Sequence, residues 1–108
     1  MKEDKSDNSI NAKFIGRKVL IRTSNAGVHL GTLEAKILQE VVLSKSRRVY
    51  SWEGATTLSQ LAMEGSSNIS NCKIDVVNNE ILLNGVIEVI PMTEQAIVCL
   101  FGAEIWRA

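Results

Sequence analysis

The chain has 108 residues, 45% of them hydrophobic and 22% charged, with as many acidic as basic side chains. That describes one globular domain, large enough to bury a core of its own. No apolar run reaches the roughly 20 residues of a membrane helix, and zero net charge argues against a broad binder of phosphate backbones.

Residues 1–13, MKEDKSDNSINAK, are polar and lack the apolar core of a signal peptide. They read as a flexible tail ahead of a single α+β domain at 14–108, on a protein of the cytoplasm. Residues 17–23, RKVLIRT, have the period-two pattern of a strand. Val19 and Ile21 would point inward, with Lys18, Leu20 and Arg22 on the other face. Residues 24–31, SNAGVHLG, read as a turn or glycine-containing loop. Residues 31–37 and 40–45 read as strands joined at Leu38 and Gln39, and 48–52, RVYSW, as a fourth.

The period changes at Ala55. Leu58, Leu61 and Ala62 fall on one helical face, Thr56 or Thr57 suits the N-cap, and Gly65 ends the run. SSNISN, 66–71, is a polar loop. Three short strands follow at 73–77, 80–83 and 86–90, with turns at Asn78-Asn79 and Asn84-Gly85, the latter a hairpin signal. Thr93 opens a second short helix that runs through Leu100, and Ile105 with Trp106 reads as a last strand or a tail that packs. The expected architecture is a small, strongly bent antiparallel sheet or SH3/Sm-like barrel with two short helices.

Charge is unevenly spread. Residues 14–52 carry seven basic and two acidic side chains, whereas 53–108 carry two basic and seven acidic. Such a split fits a basic ligand face with an acidic back, or faces that attract between subunits. The two cysteines read as free thiols, Cys99 buried and Cys72 in a polar loop. Two cysteines and one histidine do not make a zinc site, there is no Walker-type loop, and no metal or other cofactor is implied.

The stretch from Ser46 to Gly65 holds the leading candidates. Arg47 and Arg48 precede Tyr50 and Trp52; arginine beside aromatics can grip a phosphate and stack on a flat ring. On a strand, Arg48, Tyr50 and Trp52 would share one face. Glu53 could accept from a base or ribose, or favour a helix start. The 24–31 loop is the second candidate: Gly27 lets backbone N–H groups approach a phosphate, and His29 could donate to it. Arg22, on the strand just before that loop, completes the set of ligand-binding candidates. His29 has no local serine, cysteine or carboxylate partner, so no triad and no catalytic residue is assigned.

IRTSNAGVHLGTL (21–33), RRVYSWEGATTLSQLAMEG (47–65), EVIPMTEQA and Trp106 together resemble a family of small tailed-phage or prophage proteins described as a domain of unknown function. The resemblance covers roughly residues 16–108. It implies a phage origin and a host-cytoplasm setting, and no specific activity. The expected function is that of a non-enzymatic homo-oligomer that captures a small phosphorylated ligand. By analogy with small phage proteins, that ligand is a nucleotide immune signal of the cyclic dinucleotide or cyclic ADP-ribose type. Oligomerisation would enlarge the limited concave surface of so small a chain. The alternatives are a single-stranded nucleic-acid-binding module and a structural or partner-binding phage protein.

Overall fold

The structure is a computed structural model that describes residues 10–107. Its strands are β1 (Lys18–Thr23), β2 (Val28–Ile37), β3 (Glu40–Ser51), β4 (Lys73–Leu83) and β5 (Val86–Pro91). Helix α1 (Leu58–Glu64) lies between β3 and β4, and α2 (Glu94–Phe101) follows β5. Residues 1–9 of the expected tail lie outside the described residues; its last four, Ile10–Lys13, form a 3₁₀ turn.

All five strands pair antiparallel in the order β4-β3-β2-β1-β5. The outermost strands, β4 and β5, are nevertheless joined by Asn84 and Gly85 alone. Opposite ends of a sheet meet across two residues only if the sheet curls strongly. The two edges do not pair, so the fold is α+β with a bent, unclosed sheet.

Curling creates two cores. Val19, Ile21, Leu33, Val41, Leu43, Leu83 and Val86 gather from all five strands inside the curl. Leu20, Leu30, Val49 and Ile74 point the other way, against Leu61 and Ala62 of α1 and Ala96 and Leu100 of α2. Leu20, expected to share an outer face with Lys18 and Arg22, is therefore fully buried under the helices. Burying such a side chain contributes about 1.5–3 kcal/mol, so the central strand β1 is stabilised from both sides.

Several boundaries differ from the sequence reading. The segments 40–45 and 48–52 are one strand, because a bulge at Lys45 (φ 51°) absorbs the polar interruption. Asn78-Asn79 is no turn: Asn78 pairs with Ser46 inside a continuous β4, tertiary pairing overriding the low strand propensity of asparagine. Asn84-Gly85 is a corner and not a hairpin. Gly85, at φ 71°, turns the chain; its carbonyl accepts from Ser24 N–H (2.9 Å), and Val86 N–H donates to the Gln39 carbonyl (3.0 Å). The cysteines exchange roles: Cys72 is buried in the helix-side core and Cys99 is half-buried, and both are free thiols.

The helices are placed by their caps. Thr57 caps α1, its hydroxyl accepting from Gln60 N–H (3.0 Å). Thr93 caps α2 and also donates to the Met63 carbonyl (2.6 Å), locking the start of one helix to the end of the other. Between β3 and α1 the chain turns at Gly54, with φ 85°. A Cβ there would lie 2.5 Å from Asn68 N and 2.7 Å from Ser67 N, both backbone atoms. Gly54→Ala is expected to lower stability by roughly 2 kcal/mol or more, combining left-handed strain with a clash that cannot relax by rotamer. Chemical denaturation of both proteins checks this.

Candidate functional site

Two adjacent arginines on β3 have opposite surroundings. Neighbouring strand residues face opposite ways, so Arg47 and Arg48 cannot share a role. Arg47 is 2% exposed and lies on the helix side. Its Nε donates to the Asp75 carbonyl (2.8 Å), and its Nη1 to the carbonyls of Leu100 (3.2 Å), Phe101 (3.2 Å) and Ala103 (2.8 Å). Nη2 reaches the Ile74 carbonyl (3.4 Å). Burial lowers its pKa from the ordinary guanidinium value, with the nearby Asp75 charge opposing. The expectation of Arg47 as a ligand contact is corrected: its donors are committed to the backbone.

Arg48 faces the mouth of the curl. It stands opposite His29 on β2, and its Nε is buried with no hydrogen-bond partner among the described residues. The side chain lines a cleft of about 420 Å³ between Ser24, Asn25 and Ala26 of the β1–β2 loop and residues 81–85 at the corner. It is the only charged residue among those lining residues. His29 lies behind the cleft and is fully buried. Its Nε2 is 2.8 Å from the Ala26 carbonyl, which only accepts, so Nε2 carries the proton and Nδ1 is a lone-pair acceptor. Nδ1 has no partner among the described residues. The pKa of His29 is lowered by burial, with the Ala26 bond opposing and the Arg48 charge adding to the lowering.

Of the other expected contacts, Tyr50 stays beside Arg48 and the rest disperse. Tyr50 is exposed beside Arg48, the guanidinium carbon 6.0 Å from its ring centroid. Trp52 leaves the face it was expected to share with Arg48. It follows the end of β3, packs on the helix-side core, and donates from Nε1 to the Ala55 carbonyl (3.2 Å). The Glu53 carboxylate accepts from Asn68 and Asn71 (3.4 Å each), bracing the 66–71 loop instead of a ligand. Arg22 pairs with Glu88 across the exposed face of β1 and β5 (2.9 Å). Gly27 turns the β1–β2 loop in open space at φ 85°. The cleft thus keeps Arg48 and, from the loop before His29, Ser24, Asn25 and Ala26, and gains residues 81–85 at the corner. Linear sequence carries no sign that residues 84–85 meet residue 24, because only the curl brings them together.

Two other hollows are larger. One of about 680 Å³ at the β2–β3 turn has Glu40 as its only charged lining residue, which repels an anion. One of about 570 Å³ between α2, the Ile69–Asn71 turn and the C-terminal segment carries one acid and one base, Glu104 and Arg107. Neither is lined by a residue with a buried unpaired polar atom. Among the described residues, no three His, Cys, Asp or Glu side chains gather into a metal-holding group. No helix among them is long and apolar enough to cross a membrane.

Residues 16–100 match the model of a family described as a domain of unknown function, DUF6948. The chain belongs to this family. A search of curated proteins found no match. The DUF6948 match takes in β1 through most of α2, including every residue of the Arg48 cleft. It stops short of Trp106, which was expected to belong to the resembling segment.

Two outcomes follow from these side chains. Arg47→Met leaves several buried carbonyls unpaired and is expected to cost about 3 kcal/mol or more in chemical denaturation. Arg47→Lys is expected to recover only part, since an ammonium cannot span the same carbonyls. For His29, the folded pKa lies below the unfolded value of 6.5, so the unfolded chain binds the extra proton first. Stability is therefore full above pH 6.5 and falls as pH drops through the window below it. His29→Gln is expected to flatten that fall between pH 7 and 5.5, measured as the denaturation midpoint.

Proposed function

We propose that this protein is a non-enzymatic, phage-encoded binding protein that holds a small phosphorylated, nucleotide-like ligand in the Arg48 cleft. The observation that carries the reading is the position of Arg48, the only charged side chain among the described residues that line this cleft. A guanidinium on a cleft wall can give charge-assisted hydrogen bonds to an anionic oxygen, about twice as strong as neutral ones. Ser24, Asn25 and Asn84 add neutral hydrogen-bonding groups around that position. The volume of about 420 Å³ falls in the range of small-molecule sites.

No nucleophile–base pair accompanies the cleft among the described residues, which favours capture over turnover. His29 faces an arginine across the sheet and a backbone carbonyl, with no serine, cysteine or carboxylate on its ring. In the phage setting that the sequence resemblance implies, the role is sequestration of a nucleotide immune signal in the host cytoplasm by a homo-oligomer. Unpaired edges on β4 and β5 offer the subunits a place to meet.

The test is a thermal-shift panel of inorganic phosphate, mononucleotides, cyclic dinucleotides and cyclic ADP-ribose isomers. At least one nucleotide is expected to raise the Tm of the wild type, and Arg48→Ala to lose that rise while folding normally. Recovery of the ligand intact from the denatured complex separates capture from turnover. A panel without any shift, or a shift that survives in Arg48→Ala, overturns the assignment.

A further inference from the structure

Tyr50 and Trp106 belong to neither core. Their ring centroids lie 5.4 Å apart at an interplanar angle of 60°. A pair so tilted covers only part of each ring, and the two residues remain 51% and 40% exposed. A cation stands at each end. The Arg48 guanidinium carbon is 6.0 Å from the Tyr50 centroid, and the Lys73 ammonium is 5.3 Å from the Trp106 centroid. The surface therefore carries a row of cation, aromatic, aromatic, cation, drawn from β3, the C-terminal segment and β4. Asp75 is the carboxylate in contact with it, accepting from the Tyr50 hydroxyl at 3.3 Å.

The row is held from below. Trp106 N–H donates to the Ile74 carbonyl (2.9 Å), which ties the C-terminal segment to the start of β4. Three residues earlier the Ala103 carbonyl is fixed by Arg47 at 2.8 Å. Two anchored points fix the backbone that carries Trp106 beside Tyr50. Exposed rings that are already ordered lose little entropy when a flat partner lies on them.

We infer that Tyr50 and Trp106 form a stacking platform for a nucleobase whose phosphate is bound at the Arg48 end. The inference rests on the reading of the Arg48 cleft given above and adds the base to the phosphate. Three features carry it. The rings offer the sequence-tolerant π surface that bases use. The flanking cations match the charge of a phosphate on either side. Arg48 touches both the cleft and the Tyr50 ring, so phosphate and base sites are contiguous, as they are in one nucleotide. A free nucleotide and a single strand share this chemistry. A strand would run the whole row and also use Lys73.

The experiment titrates the full chain with ribose 5-phosphate, adenosine, adenosine 5′-monophosphate and a short oligodeoxythymidine, followed by calorimetry and tryptophan fluorescence. Adenosine 5′-monophosphate is expected to bind about 10-fold tighter than ribose 5-phosphate, the scale of one stacked base. Trp106→Ala is expected to erase that advantage and leave ribose 5-phosphate binding unchanged, while Trp106→Phe retains part of it. Tyr50→Ala serves as the second variant on the same platform. Equal affinities in the wild type, or an advantage that survives both alanine variants, overturn the platform. Adenosine that quenches tryptophan fluorescence in the wild type and not in Trp106→Ala, while ribose 5-phosphate fails to bind, supports the platform and overturns the phosphate at Arg48. Lys73→Ala separates the sources: an oligonucleotide that binds the wild type tighter than the mononucleotide and loses that advantage in Lys73→Ala marks a single strand, and an oligonucleotide no tighter than the mononucleotide in the wild type, with mononucleotide binding unchanged in Lys73→Ala, marks a free nucleotide.

Discussion

The structure depends most on one buried charge. The guanidinium of Arg47 gathers carbonyls from β4, from the last turn of α2 and from the segment after it. The final carbonyls of a helix have no partners within the helix, and the negative end of its dipole favours a cation there. Arg47 meets both needs and ties α2 to the sheet. Because strand neighbours face opposite ways, the same commitment turns Arg48 to the other side, into the mouth of the curl. A structural arginine thus fixes the direction of the candidate ligand arginine.

The curl itself follows from β1 and the corner at Asn84-Gly85. With Leu20 buried on one face and Val19 and Ile21 on the other, β1 has no face left for solvent along its middle. Val86 enters the inner core just past the corner, so burial of that side chain pulls β5 across from the far edge of the sheet. The hydrogen bonds from Ser24 N–H to Gly85 O and from Val86 N–H to Gln39 O then fasten the corner to two loops at the same end. The cleft is the space left where the β1–β2 loop, the corner and β3 converge without closing.

Local signals in the sequence were legible where local physics decides. The strand at β1, the Leu58-Leu61-Ala62 face and the threonine caps all describe interactions within a few residues, and each stands in the structure, although the outer face read for Leu20 does not. The breaks read at Ser46-Arg47 and Asn78-Asn79 failed because pairing between β3 and β4 decides those positions, and a bulge at Lys45 absorbs the irregularity. The Asn-Gly signal at 84–85 gave a true turn but the wrong partner, since a turn residue cannot say which strand lies beside it. The candidate site was legible in part for the same reason. Arg48 and the loop of residues 24–27 lie on neighbouring strands, so alternation and proximity find them. Trp52 escaped because β3 ends at Ser51, after which face parity no longer holds. Trp106 took the place beside Tyr50 through Arg47 and Ile74, contacts that span much of the chain.

The contrast between the two arginines bears on function by a simple comparison of costs. Arg47 shows that this fold can give every nitrogen of a buried guanidinium a partner, given carbonyls aimed at it. One residue later the same chemical group keeps a buried Nε without an acceptor among the described residues, beside a histidine whose Nδ1 lacks a donor there. Each unsatisfied buried atom costs about 1–3 kcal/mol, a large share of the roughly 5–15 kcal/mol that stabilises a domain. An apolar pair at positions 29 and 48 would avoid that cost inside the same curl. Among the described residues, the inner wall behind the Arg48 cleft is therefore a place where this fold leaves buried hydrogen-bonding capacity unused.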